Sequence, residues 1–231
     1  MNSQADFVIF LGPPGAGKGS LSQICVRRLN WQQLSTGNLC RQQILEQTSI
    51  GKEIDFALKS GKLINDSLIT SLVKDWLLAE IKTYKVIIFD GFPRTCAQAE
   101  EFSELIKNSV TGLVRMHIVK IDVPESLLVK RLLTRCICSN KKCQVVYSIG
   151  ENSNFKSISQ MCCSECGSVL VRRDDDNEEV IRQRLITYRK HENTLVDYYK
   201  KCGYEIHNLD GIVSLEQVYN QLINELDFVS L

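Results

Sequence analysis

The chain has 231 residues, 44% hydrophobic and 24% charged, enough to bury one core and carry smaller appended units. Its formal net charge of +1 argues against a general nucleic-acid or anionic-membrane surface, which would show a basic excess, and no run of about 18 apolar residues offers a membrane span. The opening Met1 to Asp6 is polar and lacks the basic start and apolar stretch of a signal peptide, so the expected location is the cytoplasm.

Residues 7–11 form a short apolar run that enters a Gly/Pro-rich loop, after which Leu21, Ile24, Cys25 and Leu29 recur at helical spacing. This reads as strand, loop, helix. Residues 35–65 read as two short helices, broken near Gly51 and capped near Gly61. A β-branched and aromatic run at 86–89 ends on Asp90-Gly91, and another at 113–123 ends at Pro124. Beyond it Leu127, Leu128, Val129, Leu132 and Leu133 mark a helix, on which Arg131 and Arg135, one turn apart, project from one face. Residues 136–174 carry cysteines, Ser/Asn-rich stretches and short β-type runs such as Val145-Val146-Tyr147. A capping-box-like pair, Asp175 and Glu178, then leads into a long helix through Ile181, Leu185, Tyr188, Leu195 and Tyr199 that stops before Gly203. Strands this apolar are buried on both faces, which predicts an α/β fold with a parallel sheet covered by crossover helices.

Six of the ten cysteines crowd between Cys136 and Cys166, and this clustering points to a metal more than to disulfides. Cys138-x4-Cys143 and Cys163-x2-Cys166 offer four thiolates in two pairs, which suits a tetrahedral structural Zn2+ with no open catalytic position. Cys136 and Cys162 remain alternative ligands, and a metal-free site with reduced thiols stays open.

Gly12-Pro-Pro-Gly15-Ala16-Gly17-Lys18-Gly19-Ser20 lies between the first strand and helix, where backbone N–H groups and the helix dipole can cradle phosphate and Lys18 can reach the β and γ phosphates. Gly19 stands where a strict phosphate-binding loop has Ser or Thr, so Mg2+ is expected to be held mostly by phosphates and water. Asp90, at the end of an apolar strand, is placed to organise that Mg2+ through water. Arg41 and Arg94 supply bidentate donors for a monophosphate, and Thr36 and Gln98 can hydrogen-bond a base or sugar.

Taken together, the loop at 12–20, Leu34-Ser-Thr36-Gly-Asn-Leu-Cys-Arg41, and Asp90-Gly91-Phe92-Pro93-Arg94 with Gln98 resemble the signatures of adenylate kinases, in the same order and over almost the whole chain. The resemblance implies a P-loop nucleotide kinase with a five-stranded parallel core at 1–34, 66–135 and 175–231, a monophosphate-binding insert at 35–65 and a zinc-binding lid at 136–174. It implies reversible Mg2+-dependent transfer, ATP + AMP = 2 ADP, in line and without a covalent intermediate. ATP is expected against Gly15, Ala16, Gly17, Lys18, Gly19, Ser20, Arg135, Val146, Tyr147 and Val213. AMP is expected against Thr36, Arg41, Lys62, Leu63, Ile64, Gly91, Phe92, Pro93, Arg94, Gln98, Arg173 and Arg184. Lys18, Asp90, Arg94, Arg131, Arg173 and Arg184 are the expected catalytic group, and a monomer acting without nucleic acid or membrane is expected. The chain departs from the family pattern in its wider first cysteine pair, and in Asn38, Ser148 and Ser20 where Asp, His and Thr are usual. Two other readings stay open: a kinase for UMP, CMP or GMP on the same frame, and a P-loop zinc-ribbon binding module.

Overall fold

Five parallel strands form the centre of the computed structural model, which describes residues 4–59, 64–140, 143–149, 161–173 and 175–226. In chain order they are β1 (Gln4–Leu11), β2 (Gln32–Ser35), β3 (Val86–Asp90), β4 (Leu113–Asp122) and, after the cysteine-bearing segment, the strand numbered β8 (Ile206–Asp210). Their lateral order is β2-β3-β1-β4-β8, so the chain leaves β1 toward one edge and later returns to its other side. That reversal opens a crevice at the carboxyl ends of the strands, the usual ligand site of such sheets.

Alternation along β1 explains the two cores. Phe7 and Ile9 face one side with Ile87, Phe89 and Ile118, while Val8 and Phe10 face the other with Ile88, Val119 and Ile121. The first side is covered by α2 (Thr36–Leu45), α3 (Ser49–Lys59), α4 (Asp66–Glu80) and α5 (Cys96–Ser109), the second by α1 (Lys18–Leu29), α6 (Glu125–Leu133) and α8 (Leu215–Leu226). The 24-residue α7 (Glu178–Lys201) gives Ile181 and Leu185 to the second core and Leu195 and Tyr199 to the first. No described helix is long and apolar enough to cross a membrane.

A cluster of four phenylalanines joins the core to the crevice. Phe89 lies 5.1 Å from Phe7 and 4.8 Å from Phe102, and Phe92, fully buried, meets Phe102 edge-on at 5.2 Å. Each such pair adds about 0.5–1.5 kcal/mol beyond its burial. Phe92 thereby anchors the turn after β3 and leaves its neighbours Gly91 and Arg94 facing the crevice.

The remaining strands, β5 (Arg135–Cys138), β6 (Val146–Ser148) and β7 (Leu170–Val171), make a separate antiparallel sheet in the order β6-β5-β7. Its small core is Cys136, Cys138, Met161, Cys163 and Leu170.

Three local expectations are corrected. The break between α2 and α3 falls at residues 46–48 and not at Gly51, because Thr48 starts α3 by accepting the Gly51 N–H at 2.9 Å. Gly51 instead lets the two helices touch, since a Cβ there would stand 1.9 Å from the Gln43 carbonyl oxygen. The start of α7 is capped by Asn177, whose side chain accepts from Val180 N–H, leaving Asp175 to pair with Arg184 at 2.9 Å. Finally, α6 ends at Leu133, so Arg135 opens β5 and does not share a helix with Arg131. The expected cap at Gly61 lies outside the described residues.

Candidate functional site

The loop after β1 bends on Gly12, Gly15 and Gly17, all with positive φ. At Gly15 a Cβ would meet Leu132 at 3.0 Å and the Leu128 carbonyl at 3.2 Å, so the loop can lie this close to α6 only without a side chain. Gly17, left-handed, is the N-cap of α1; no side chain caps that helix and no acidic residue sits in its first turn. Its free N–H groups and positive dipole end are therefore available to an anion.

Lys18 folds back over this loop, donating to the Gly12 carbonyl at 2.6 Å and the Pro13 carbonyl at 3.0 Å. Burial pushes its ammonium down to about 8; Asp90 opposes the shift, and Arg94, Arg184 and Arg135 reinforce it. Asp90 closes β3 opposite the start of α1, so close that a Cβ on Gly19 would stand 3.3 Å from its Oδ2. Gln33 Nε2 donates to the same oxygen at 3.3 Å.

Around the loop opens a cavity of about 510 Å³ whose lining, among the described residues, includes Lys18, Arg41, Arg94, Arg131, Arg135, Arg173 and Arg184, seven cations, and one carboxylate, Asp90. Partners hold several of these arginines in place. Arg94 Nε donates to the Gly91 carbonyl at 2.8 Å, Arg131 to the Gly211 carbonyl at 2.8 Å, and Arg41 to the Asn38 side chain. Asp176, almost fully buried, forks onto Arg135 and stands 3.6 Å from Arg184. Crowding still tells on the cluster. Burial first, then repulsion from Arg135 and Arg41, lowers Arg173 to about 10, and burial lowers Arg41, Arg131 and Arg184 as well. The Nε atoms of Arg41 and Arg173 are buried with no hydrogen-bond partner among the described residues. Such a group of cations calls for a polyanion.

Every residue expected around ATP, from Gly15 to Ser20 with Arg135, Val146, Tyr147 and Val213, lines this cavity. Of those expected around AMP, Arg41, Gly91, Pro93, Arg94, Arg173 and Arg184 line it; Ile64, Thr36, Phe92 and Gln98 do not in this conformation. Thr36 Oγ1 donates to the Gly91 carbonyl at 2.9 Å. Gln98 accepts the Arg94 N–H at 2.8 Å and donates to Asp66 at 2.7 Å, while its own N–H caps onto Thr95. Lys62 and Leu63 lie outside the described residues. The sequence reading missed Gln23, Gln144, Thr187 and Tyr188, which also line the cavity; chain folding alone brings them there, and no local pattern marks them.

The sulfur atoms of Cys138, Cys143, Cys163 and Cys166 all lie within 4.8 Å of one another. Cys138 and Cys166 are 3.3 Å apart and Cys143 and Cys163 3.6 Å. Zinc–sulfur bonds of about 2.3 Å place the corners of a tetrahedron about 3.8 Å apart, so this donor set fits Zn2+. Although burial works against the Cys163 thiolate, Tyr147 and the N–H groups of Glu165 and Cys166 hold it down at about 6. Cys136 is buried outside this cluster, and Cys162 is exposed in a backbone bridge to Val169. The cysteine segment rests on α1 through Arg27 and Glu165 at 2.9 Å and through Gln23, which donates to the Gln144 carbonyl at 3.3 Å.

The adenylate kinase family profile matches residues 10–204, which hold the loop, all seven cations and the four clustered cysteines. The chain belongs to the adenylate kinase family. Among curated members it is 35% identical to the adenylate kinase of Borreliella burgdorferi over 94% of this chain and 96% of that protein. It is 34% identical to those of Thermosipho africanus, over 94% and 97%, and Archaeoglobus fulgidus, over 93% and 95%. Membership accounts for the α/β architecture with its P-loop, and makes the chain a nucleoside monophosphate kinase, a phosphotransferase. For such an enzyme the seven cations of the crevice have a use.

Proposed function

We propose that the protein catalyses the reversible reaction ATP + AMP = 2 ADP, and that the seven cations around the P-loop crevice are its phosphate-binding machinery. The observation that carries this reading is their convergence on one cavity at the carboxyl end of the sheet, beside an uncapped helix N-terminus. Lys18 and the amides of the loop hold the donor phosphates. Arg41 and Arg94 hold the acceptor phosphate, and Arg131, Arg135, Arg173 and Arg184 gather around the transferred group, whose charge spreads in the transition state. A metaphosphate-like group asks for little covalent chemistry from the protein, so position and charge are the whole of its task. Val146, Tyr147 and Val213 offer apolar surface to the donor base, while Thr36 and Gln98 lie next to the acceptor side.

Asp90 is the residue that would orient the water shell of Mg2+ bound with the triphosphate, a cation that would supply countercharge to the donor phosphates. Zn2+ on Cys138, Cys143, Cys163 and Cys166 would cross-link the small three-stranded sheet, whose own core is too slight to hold it together. We assign residues 136–174 as a lid and 35–65 as the monophosphate-binding insert; closing both excludes water and suppresses hydrolysis. The near-neutral net charge supports small nucleotides over nucleic acid as partners.

A coupled assay of ATP with AMP, UMP, CMP and GMP in turn tests the reading, together with the reverse reaction from ADP. Activity highest with AMP is expected; a larger kcat/KM with another monophosphate would move the assignment to that nucleotide, and turnover with none would refute it.

A further inference from the structure

One side chain belongs to both the cysteine cluster and the crevice. Tyr147, in β6, lines the cavity, and its hydroxyl oxygen has three partners: Cys163 Sγ at 3.2 Å, the Ser164 N–H at 3.0 Å and Ser164 Oγ at 2.9 Å. A phenol has one proton to donate and two lone pairs with which to accept. The Ser164 N–H can only donate, and a metal-bound Cys163 is a thiolate that only accepts. With metal present the three contacts therefore close in one way. Tyr147 O–H donates to Cys163, and the Ser164 N–H and O–H both donate to Tyr147. Every valence of the phenol is used, which fixes the ring from its far end.

We propose that Tyr147 is a positioning residue that couples occupancy of the metal site to binding of the donor nucleotide. The inference rests on the readings of the crevice as a donor-nucleotide site and of the four thiols as a metal site. β6 pairs Tyr147 with Cys136 and Val146 with Ile137, so the strand carrying the hydroxyl is also a wall of the crevice. A bound metal would tie the Cys163 sulfur to three other thiolates; without it that sulfur has only contacts such as those to Cys143 at 3.6 Å and to Tyr147 itself, so the acceptor that fixes the hydroxyl is no longer held in place and the ring loses its anchor. Coupling of this kind is reciprocal: what zinc does for nucleotide affinity, nucleotide does for zinc affinity by the same factor. Of the contacts between the cysteine segment and α1, Glu165 to Arg27 lies outside the crevice, whereas Gln144 to Gln23 is on its wall but involves the Gln144 backbone and none of the four thiols.

The test compares wild type with Tyr147→Phe, which keeps the ring and removes the hydroxyl. Zinc affinity is read by competition with a chromogenic chelator under reducing conditions. Affinity for a non-hydrolysable ATP analogue is read in zinc-loaded and zinc-stripped protein. Tyr147→Phe should bind zinc about 10- to 100-fold more weakly, the range for loss of an outer hydrogen-bond partner. Wild type should bind the analogue at least about five-fold more tightly when loaded, and in the variant that ratio should fall toward one. In zinc-loaded variant, KM for ATP should rise while KM for AMP stays put. Cobalt in place of zinc gives a second readout: losing the donor to Cys163 should shift the sulfur-to-cobalt charge-transfer band to longer wavelength. A zinc affinity within two-fold of wild type, an unchanged loaded-to-stripped ratio or an unshifted cobalt band overturns the proposal. So does a variant that holds no metal at saturating zinc, since the hydroxyl would then be needed for folding. A wild type that binds both ligands independently refutes the coupling alone; a wild type that binds no ATP analogue refutes the proposed function and this inference with it.

Discussion

Lys18→Met removes a charge and keeps the length of the side chain, and it should separate function from stability. In the folded protein without nucleotide, burial has driven the Lys18 ammonium from 10.5 to about 8. At about 1.4 kcal/mol per unit this is a cost of about 3 kcal/mol for keeping the charge at pH below 8, an upper bound because the crevice is open to water. Between pH 8 and 10.5 the unfolded chain holds the proton and the folded one releases it, so wild-type stability rises with pH across that window. The methionine variant lacks this gain. Its stability relative to wild type should therefore be greatest below pH 8, where it should be equal to or above wild type by at most about 3 kcal/mol, and should decline toward pH 10.5. Part of the gain is lost because the Gly12 and Pro13 carbonyls give up their donor and turn to water. Turnover should drop below about a tenth of wild type, since one such contact to the transferred group contributes several kcal/mol to the transition state. Denaturant unfolding at several pH values and a coupled kinase assay read the two effects. Destabilisation by more than about 1 kcal/mol below pH 8 would show Lys18 to be a brace for the loop. Turnover above a tenth would refute its role in transfer.

Arg94→Ala should weaken AMP binding and lower turnover together, whereas Arg131→Ala should act on turnover or the donor side; initial-rate kinetics with both substrates varied would disprove the division if both changed only the ATP KM. Chelation of zinc should produce a separate low-temperature transition in calorimetry while the main transition stays in place, and a single shifted transition would contradict an independently held lid. Cys138→Ser should cost the metal and exposed Cys162→Ser should not, as read by metal analysis of reduced protein; full zinc occupancy after Cys138→Ser would overturn the ligand set. Gly51→Ala should destabilise by about 1–3 kcal/mol, the cost of overpacking, because its Cβ would overlap the Gln43 carbonyl; an unchanged Tm would mean that α2 and α3 do not pack this tightly.

What the sequence disclosed depended on how local the signal was. The phosphate loop is contiguous, and its glycines announce the positive φ values that the turn needs. β1 and β3 are buried on both faces and read as apolar runs. β2 and β8 did not stand out, because an edge strand such as Gln32-Gln33-Leu34-Ser35 sends only Leu34 fully inward and has polar neighbours. Asp175 looked like a cap because Asp-x-x-Glu fits the spacing, but Asn177, itself a favoured N-cap residue, takes the Val180 N–H without a capping-box partner, and the ion pair with Arg184 nine residues later draws Asp175 away. Gly51 resembled a helix breaker; only the partner helix reveals it as a contact point. The arginines after residue 130 became intelligible through the family signatures, and their buried partner Asp176 through the fold.

The contacts that seat the cysteine segment on α1 set a timescale. Arg27 and Glu165 are each about half exposed, at 48%, and the Gln23 hydrogen bond is long at 3.3 Å. A surface ion pair of this kind contributes about 0–1 kcal/mol and weakens with salt. On the proposed reading of this segment as a lid, a closure latched by these contacts among the described residues would open within the microsecond to millisecond range of lid motions, so the dwell of product need not outlast the chemistry. Replacing this pair by a buried, well-packed contact would lengthen each visit of ADP and slow the cycle, with every phosphate contact intact.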